Sequence, residues 1–200
     1  MSAQFPAEKT ALLLVDLQND FLHGKGAYAR GGCANADIAA LPARVKPLLD
    51  AMRKRGSLTM GTLFTLVPGR AGEPIISPHL KSLRPFLTRG DFAPGSWGHQ
   101  VVDELSPLDV TIEKVAYSAF YMTRLEWVLR KLDIDHLIVG GIVTNGGVAS
   151  TVRDAHVRDI HVSVLSDGCA AFSKQVHEEA LSGLKPIADI TTIESVLKAL

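Results

Sequence analysis

Short, continuously apolar runs recur along this chain, and most are followed by stretches whose apolar residues are spaced three and four apart. The first run, "ALLLVD" at 11–16, has no polar alternation, which fits a strand buried on both faces. Ile38, Leu41, Val45, Leu48, Leu49 and Met52 then keep helical spacing until Gly56 stops the helix. Further strands are read at "SLTMGTLF" (57–64), "DVTIEK" (109–114), "HLIVGGIV" (136–143), "HVSVLSD" (161–167) and "ADITTI" (188–193). Helices are predicted over 147–158, with Val148, Val152 and Ala155 on one face, and over 174–184. Thr123 with Glu126 reads as a capping box ahead of Leu125, Val128, Leu129 and Leu132, and Thr191 with Glu194 as one opening a terminal helix.

Strands alternating with helices predict a three-layer α/β/α, Rossmann-like fold. Its mostly parallel sheet of about six strands is covered by helices on both faces. No internal repeat or second domain is visible, so residues 1–200 are read as one domain. Residues 67–100 interrupt the alternation and hold five of the ten prolines. An excursion of that length is usually functional or carries short helices.

Lys plus Arg and Asp plus Glu both number 21, so the formal net charge is zero. Nucleic acid and anionic membranes both call for a basic surplus, and neither is expected as a partner. The run Arg53-Lys54-Arg55 closes a helix, where cations suit the helix dipole. Two cysteines, Cys33 and Cys169, make neither a disulfide framework nor a zinc site. The apolar run before Asp16 is too short for a signal peptide or a membrane span, so a cytoplasmic protein is expected.

In an open parallel sheet, ligands bind beyond the carboxyl ends of the strands. Asp16, followed by Gln18, Asn19 and Asp20, closes the first strand there, and Lys114 closes the third. Thr144 and Asn145 follow the fourth, just before Gly146 and Gly147, and Ser166 and Asp167 end the fifth. An acid and a base on neighbouring strand ends can meet across the cleft, either as machinery or as a structural ion pair. Phe92 and Trp97 on the excursion, with Tyr117, Phe120 and Tyr121 after Lys114, are candidate pocket walls.

Four stretches in order, "LLLVDLQNDF", "IEKVAYSAF", "GGIVTNGGVASTVRDA" and "VLSDGCAAF", resemble the isochorismatase-like hydrolases, also called the cysteine hydrolase superfamily. The resemblance runs from about Ala11 to the end and is weakest over 65–90. It implies a catalytic Asp after strand one, a Lys after strand three, and a Cys at the start of the helix after strand four. The first two fall on Asp16 and Lys114, and the nucleophile position falls on Gly147. It also implies a non-proline cis peptide, expected at Val143–Thr144, and a homodimer or homotetramer.

Glycine cannot attack a carbonyl, and Ser150 and Thr151 lie about one turn into the helix. Cys33 matches no motif, and Cys169 is read as a small buried thiol. True isochorismatases are similar in having Gly at this position. The resemblance therefore implies hydrolysis of a small molecule by Asp16 acid/base chemistry without a thiol intermediate, of the vinyl-ether type. However, Val143-Thr144-Asn145 has the amidase-like form, and a lysinium beside Asp16 favours the carboxylate, whereas a general acid must carry the proton. The alternatives are C–N hydrolysis by an activated water, a natural Cys replaced at 147, and a non-catalytic small-molecule-binding homologue. On the hydrolase reading Gln18, Phe92, Trp97, Phe120, Thr144, Asn145 and Gly146 are expected to contact substrate, and the Gly146–Val148 amides to point into the cleft. No metal and no cofactor are expected: "TLFTLVPGRAGEP" lacks the histidine of zinc-binding relatives, and no G-x-G-x-x-G order is present.

Overall fold

Strand β1 (Thr10–Val15) lacks polar alternation because both of its faces are covered. In the computed structural model, which describes residues 5–200, it is joined by β2 (Leu58–Phe64), β3 (Val110–Lys114), β4 (His136–Ile142), β5 (His161–Ala170) and β6 (Asp189–Thr191). The six form one parallel sheet in the order β3-β2-β1-β4-β5-β6. Four helices precede β2: α1 (Asn19–Leu22), α2 (Ala27–Arg30), α3 (Ala36–Ala39) and α4 (Leu41–Lys54). Then come α5 (Pro78–Leu83), α6 (Leu125–Lys131), α7 (Ala149–His156), α8 (Lys174–Leu184) and α9 (Ile193–Ala199).

The period of two along β1 divides the core. Ala11, Leu13 and Val15 pack with Leu125 and Leu129 of α6, Val152 and Ala155 of α7, and Leu184 of α8. Leu12 and Leu14 face the other way, onto Leu41, Val45, Leu48 and Met52 of α4 and Val196 of α9. Each fully buried leucine contributes about 1.5–3 kcal/mol, so this strand anchors both helical layers. No helix among the described residues is long and apolar enough to cross a membrane.

Four sequence expectations shift. The helix read from Ile38 to Met52 is broken at Ala40 into α3 and α4. Strand β5 continues past Asp167 to Ala170, because Ser166 and Asp167 are used structurally: Ser166 donates to the Thr191 carbonyl and Asp167 accepts from the Ile193 amide. The Thr123 capping box does not close: Thr123 accepts from the Leu125 amide, but Glu126 pairs with Arg130 and Arg158. The cap of α9 is Thr192, not Thr191, and it accepts from the Ser195 amide.

The excursion between β2 and β3 carries α5, capped by Ser77, and is tied down from the loop after β1. Gln18 donates to the carbonyls of Phe64 and His99 and accepts from the Phe64 amide. Asn19 donates to the Trp97 carbonyl, and Asp20 accepts from the amides of Ala27 and Phe92. These groups stand in for the ladder that an irregular segment lacks.

One buried and one half-buried histidine, His99 and His136, sit within this framework. Burial holds His99 below its ordinary 6.5, against the opposing pull of Glu113 and Asp20. Burial and His161 lower His136 in the same direction, opposed by Asp189 and Asp135. Both folded values lie below the unfolded one, so the unfolded chain binds more protons in that window and stability falls with acidification. The denaturant midpoint is expected to decline between about pH 7 and about pH 5, and His136→Gln should flatten the decline. An unchanged slope in that variant would remove His136 from the account.

Candidate active site

Strand order reverses direction between β1 and β4, and the crevice at such a switch point is where open α/β sheets bind ligands. Asp16 follows β1, Lys114 ends β3, and Gly147 lies in the turn after β4. All three line one cleft of about 280 Å³.

Asp16 and Lys114 are both buried, and Lys114 Nζ lies 2.7 Å from Asp16 Oδ2. The intervening strand holds the acid in place. Thr62 Oγ1 accepts from the Asp16 amide at 2.9 Å and donates back to Asp16 Oδ1 at 2.5 Å. Asp16 has φ 55, a left-handed conformation that Asp tolerates better than most residues. Lys114 also donates to the Ala116 carbonyl at 3.0 Å and lies 5.5 Å from the centre of the Phe64 ring. Two of its three donors are thus engaged, and one is left for a ligand.

The turn after β4 is wide. The amides of Val148 and Ala149 reach back five residues, to the carbonyls of Val143 and Thr144. The non-proline cis bond lies at Ile142–Val143, one residue before the expected position. Gly146 and Val148 both donate to the Val143 carbonyl, at 2.9 and 3.2 Å. Two of the three amides expected to face the cleft are therefore turned inward, and the Gly147 amide is the one not drawn to Val143. A Cβ placed on Gly147 would lie 2.9 Å from the Ile142 carbonyl, 3.1 Å from Val15 Cγ1 and 3.3 Å from Asp16 Oδ2. The hydroxyl of Thr151 is committed to the Gly147 carbonyl and the Ala119 amide.

The other predicted contacts lie elsewhere. Gln18 is fully buried in the backbone bonds described above. Phe92 is buried behind the wall, against Phe21 and Phe64. Trp97 is exposed and packs on His23. Phe120 belongs to the core beneath the Arg158 guanidinium. Thr144 is hydrogen-bonded to His177 Nδ1 at 2.8 Å, and Asn145 is exposed. Gly146 underlies the Tyr117 ring, with 3.3 Å from a Cβ position to that ring.

Of the aromatic walls expected, Tyr117 lines the cleft; the others are Phe21 and Tyr28 after β1, Phe64 at the end of β2, and Phe172 after β5. The excursion supplies His79, Leu80, Leu83, Arg84 and Leu87. The one signal for that contribution is the amphipathic run "PHLKSLRPFL" within the segment that resembles the family least. Among the described residues no group of three His, Cys, Asp or Glu is placed to hold a metal ion. Neither cysteine lines the cleft: Cys33 is half-buried, and burial pushes the Cys169 thiol up to about 12.

An isochorismatase domain is matched over residues 10–195. The chain is 33% identical over 174 residues to the ureidoacrylate amidohydrolase RutB of Pantoea ananatis (strain LMG 20103), covering 82% of this chain and 70% of that protein. It is 34% identical over 174 residues to the protein of the same name from Cronobacter sakazakii (strain ATCC BAA-894), covering 82% of this chain and 75% of that one. Among solved structures, a cysteine hydrolase from Pseudomonas syringae pv. phaseolicola 1448A superposes with a TM-score of 0.82 at 26% identity, over 98% of this chain and 93% of that one. With a domain match across nearly its whole length and a sheet that carries Asp16, Lys114 and Gly147 into one cleft, the chain belongs to the isochorismatase family of hydrolases.

Proposed function

We propose that this protein hydrolyses a C–N bond in a small amide or ureido substrate, with water taking the place of the family's thiol. The observation that carries this reading is the bare backbone at Gly147. The direction in which a side chain would leave Gly147 faces Asp16 Oδ2, 3.3 Å from an ideal Cβ, so a water in the cleft over this bare backbone lies on the side of the carboxylate. The curated relatives named above are amidohydrolases, which favours C–N chemistry. They lend no support to the vinyl-ether reaction expected from the glycine alone.

Asp16 accepts hydrogen bonds at both oxygens, from Thr62 and from Lys114. That arrangement suits a base, whereas a general acid would need one oxygen to present a proton to the substrate. Asp16 takes a proton from the water as the water oxygen bonds to the carbonyl carbon. The remaining donor of Lys114 meets the charge that grows on the carbonyl oxygen. When the tetrahedral species collapses, the C–N bond breaks, its electron pair stays on nitrogen, and the nitrogen recovers the proton from Asp16. The products are a carboxylic (or carbamic) acid and an amine.

Turnover is to be sought by mass spectrometry with a panel of small amides and ureido acids, with isochorismate as the rival. Asp16→Asn should lower turnover by about 10²–10⁴-fold, and full activity in that variant would reject the mechanism. Hydrolysis of isochorismate alone would restore the vinyl-ether reading, and binding without turnover of any compound would leave a binding protein.

The thiol-free chemistry generates a second prediction. Iodoacetamide should modify Cys33 in the native protein and Cys169 only after unfolding, because Cys169 is buried and protonated. Activity should survive. Loss of turnover in step with labelling of either cysteine would place the nucleophile on sulfur.

Gly147→Cys tests the vacated position itself. The new Cβ would lie 2.9 Å from the Ile142 backbone carbonyl, so the turn must shift to admit it. The thiol would then lie beside Asp16. Amide hydrolysis should continue with an acyl adduct at residue 147 detectable by intact-mass measurement, while the wild type shows none. An adduct on the wild-type protein is the result that counts against water as nucleophile.

A further inference from the structure

We infer that Arg84, together with the Tyr28 hydroxyl, forms an anion subsite in the cleft that holds a carboxylate of the substrate and selects carboxylated substrates over neutral ones. This inference rests on the C–N hydrolase reading for its substrate class, but it is carried by different residues.

The charge balance of the cleft is its first support. Asp16, Lys114 and Arg84 are the Asp, Lys and Arg side chains that line it. Asp16 and Lys114 neutralise each other at 2.7 Å. Arg84 forms no ion pair with any carboxylate among the described residues. The cleft therefore presents one uncompensated positive charge beside apolar walls, which matches a small monoanion better than a neutral amide.

Arg84 is also held in place before any ligand arrives. Its backbone amide closes α5 on the Leu80 carbonyl, and Pro85 restricts the chain that follows. Its Nη1 donates to the Leu83 carbonyl at 2.8 Å and its Nε to the Tyr28 hydroxyl at 3.3 Å. The guanidinium carbon lies 5.3 Å from the centre of the Phe172 ring and 5.7 Å from that of Tyr28. Those two rings are themselves stacked, 5.5 Å apart with planes 8° from parallel. A guanidinium fixed on aromatic rings loses little further freedom when it binds an anion. Nη2 is left without a protein acceptor among the described residues.

Tyr28 supplies a second donor. Its oxygen accepts from Arg84, so its own proton is directed elsewhere. Burial raises the phenol above its ordinary 10.0, against the opposing pull of Arg84, and keeps that proton in place at neutral pH. A cation and a neutral O–H on one side of the cleft suit the two oxygens of a carboxylate.

The test reads binding, so it does not depend on turnover. Succinamate, which has a carboxylate and an amide, and succinamide, which has two amides, are titrated calorimetrically into the wild type, Arg84→Gln, Arg84→Lys and Tyr28→Phe. The wild type should bind succinamate about tenfold or more tightly than succinamide. Arg84→Gln should erase that preference, Arg84→Lys should keep part of it, and Tyr28→Phe should weaken succinamate alone. As a second measurement, phenylglyoxal modification of Arg84, mapped by mass spectrometry, should be slowed by succinamate or acetate and not by succinamide. Equal affinities in the wild type, a preference that survives Arg84→Gln in a folded variant, or no protection of Arg84 by either carboxylate would overturn the inference. Amide hydrolysis without any carboxylate preference would sink this subsite and leave the proposed reaction standing. A carboxylate preference without turnover would do the reverse.

Discussion

An aspartate and a lysine lying 2.7 Å apart with almost no contact with water set the terms for everything around them. Each charge loses several kcal/mol of hydration on burial, and removing one partner from such a pair typically costs about 3–5 kcal/mol. The pair must therefore form whenever the chain folds. Its members sit just after β1 and at the end of β3, strands that are not neighbours, so β2 has to hold them in register. It does so with Leu14 opposite Gly61 and Phe64 opposite Lys114. Thr62 fixes the acid through two hydrogen bonds, and Phe64 lies under the lysine. The β3-β2-β1 half of the sheet is thus the support on which the ion pair is mounted.

The architecture was legible in the sequence because burial on both faces leaves an unambiguous mark. Every strand read as an apolar run formed, and α8 formed over the residues expected. Asp16 and Lys114 were legible for a related reason: in a parallel sheet a polar residue directly after an apolar run has to emerge at the carboxyl edge. Local signals were less reliable where a longer-range partner competed. Glu126 could have closed a capping box with Thr123, but Arg130 and Arg158 offer it opposite charge, and they win.

Apart from Tyr117, the pocket walls were not legible, and the reason is physical. Trp97 and Phe120 were placed in the cleft because they are aromatic and close in sequence to polar motifs. Sequence proximity says little about which way a ring turns once Phe120 has a core to enter and Trp97 has His23 to cover. The walls that do form bring together segments more than fifty residues apart: Tyr28 after β1, Arg84 from the excursion and Phe172 after β5 meet only in the folded chain. Gln18 shows the converse. Its position beside Asp16 suggested substrate contact, yet an irregular excursion needs hydrogen-bond partners, and the nearest fixed side chain supplies them.

The glycine at 147 can be assigned a role by comparing it with another. Gly141 has φ +117, and a Cβ there would lie 2.2 Å from the Val15 carbonyl, so that position needs glycine for its backbone. Gly147 is not among the positive-φ residues, and its backbone places no such demand. What glycine provides there is a bare backbone facing the cleft, since a Cβ would crowd the Ile142 carbonyl at 2.9 Å and Val15 Cγ1 at 3.1 Å and come within 3.3 Å of Asp16 Oδ2. Two of those three neighbours are oxygens, one of them on the only acid among the described residues that lines the cleft. A cleft surface that carries hydrogen-bond acceptors and no side chain suits a small donor, and water is the smallest. The missing side chain thus leads to the same chemistry as the ion pair: a carboxylate held by a lysine and a threonine on one side, and a bare backbone facing its proton donor on the other.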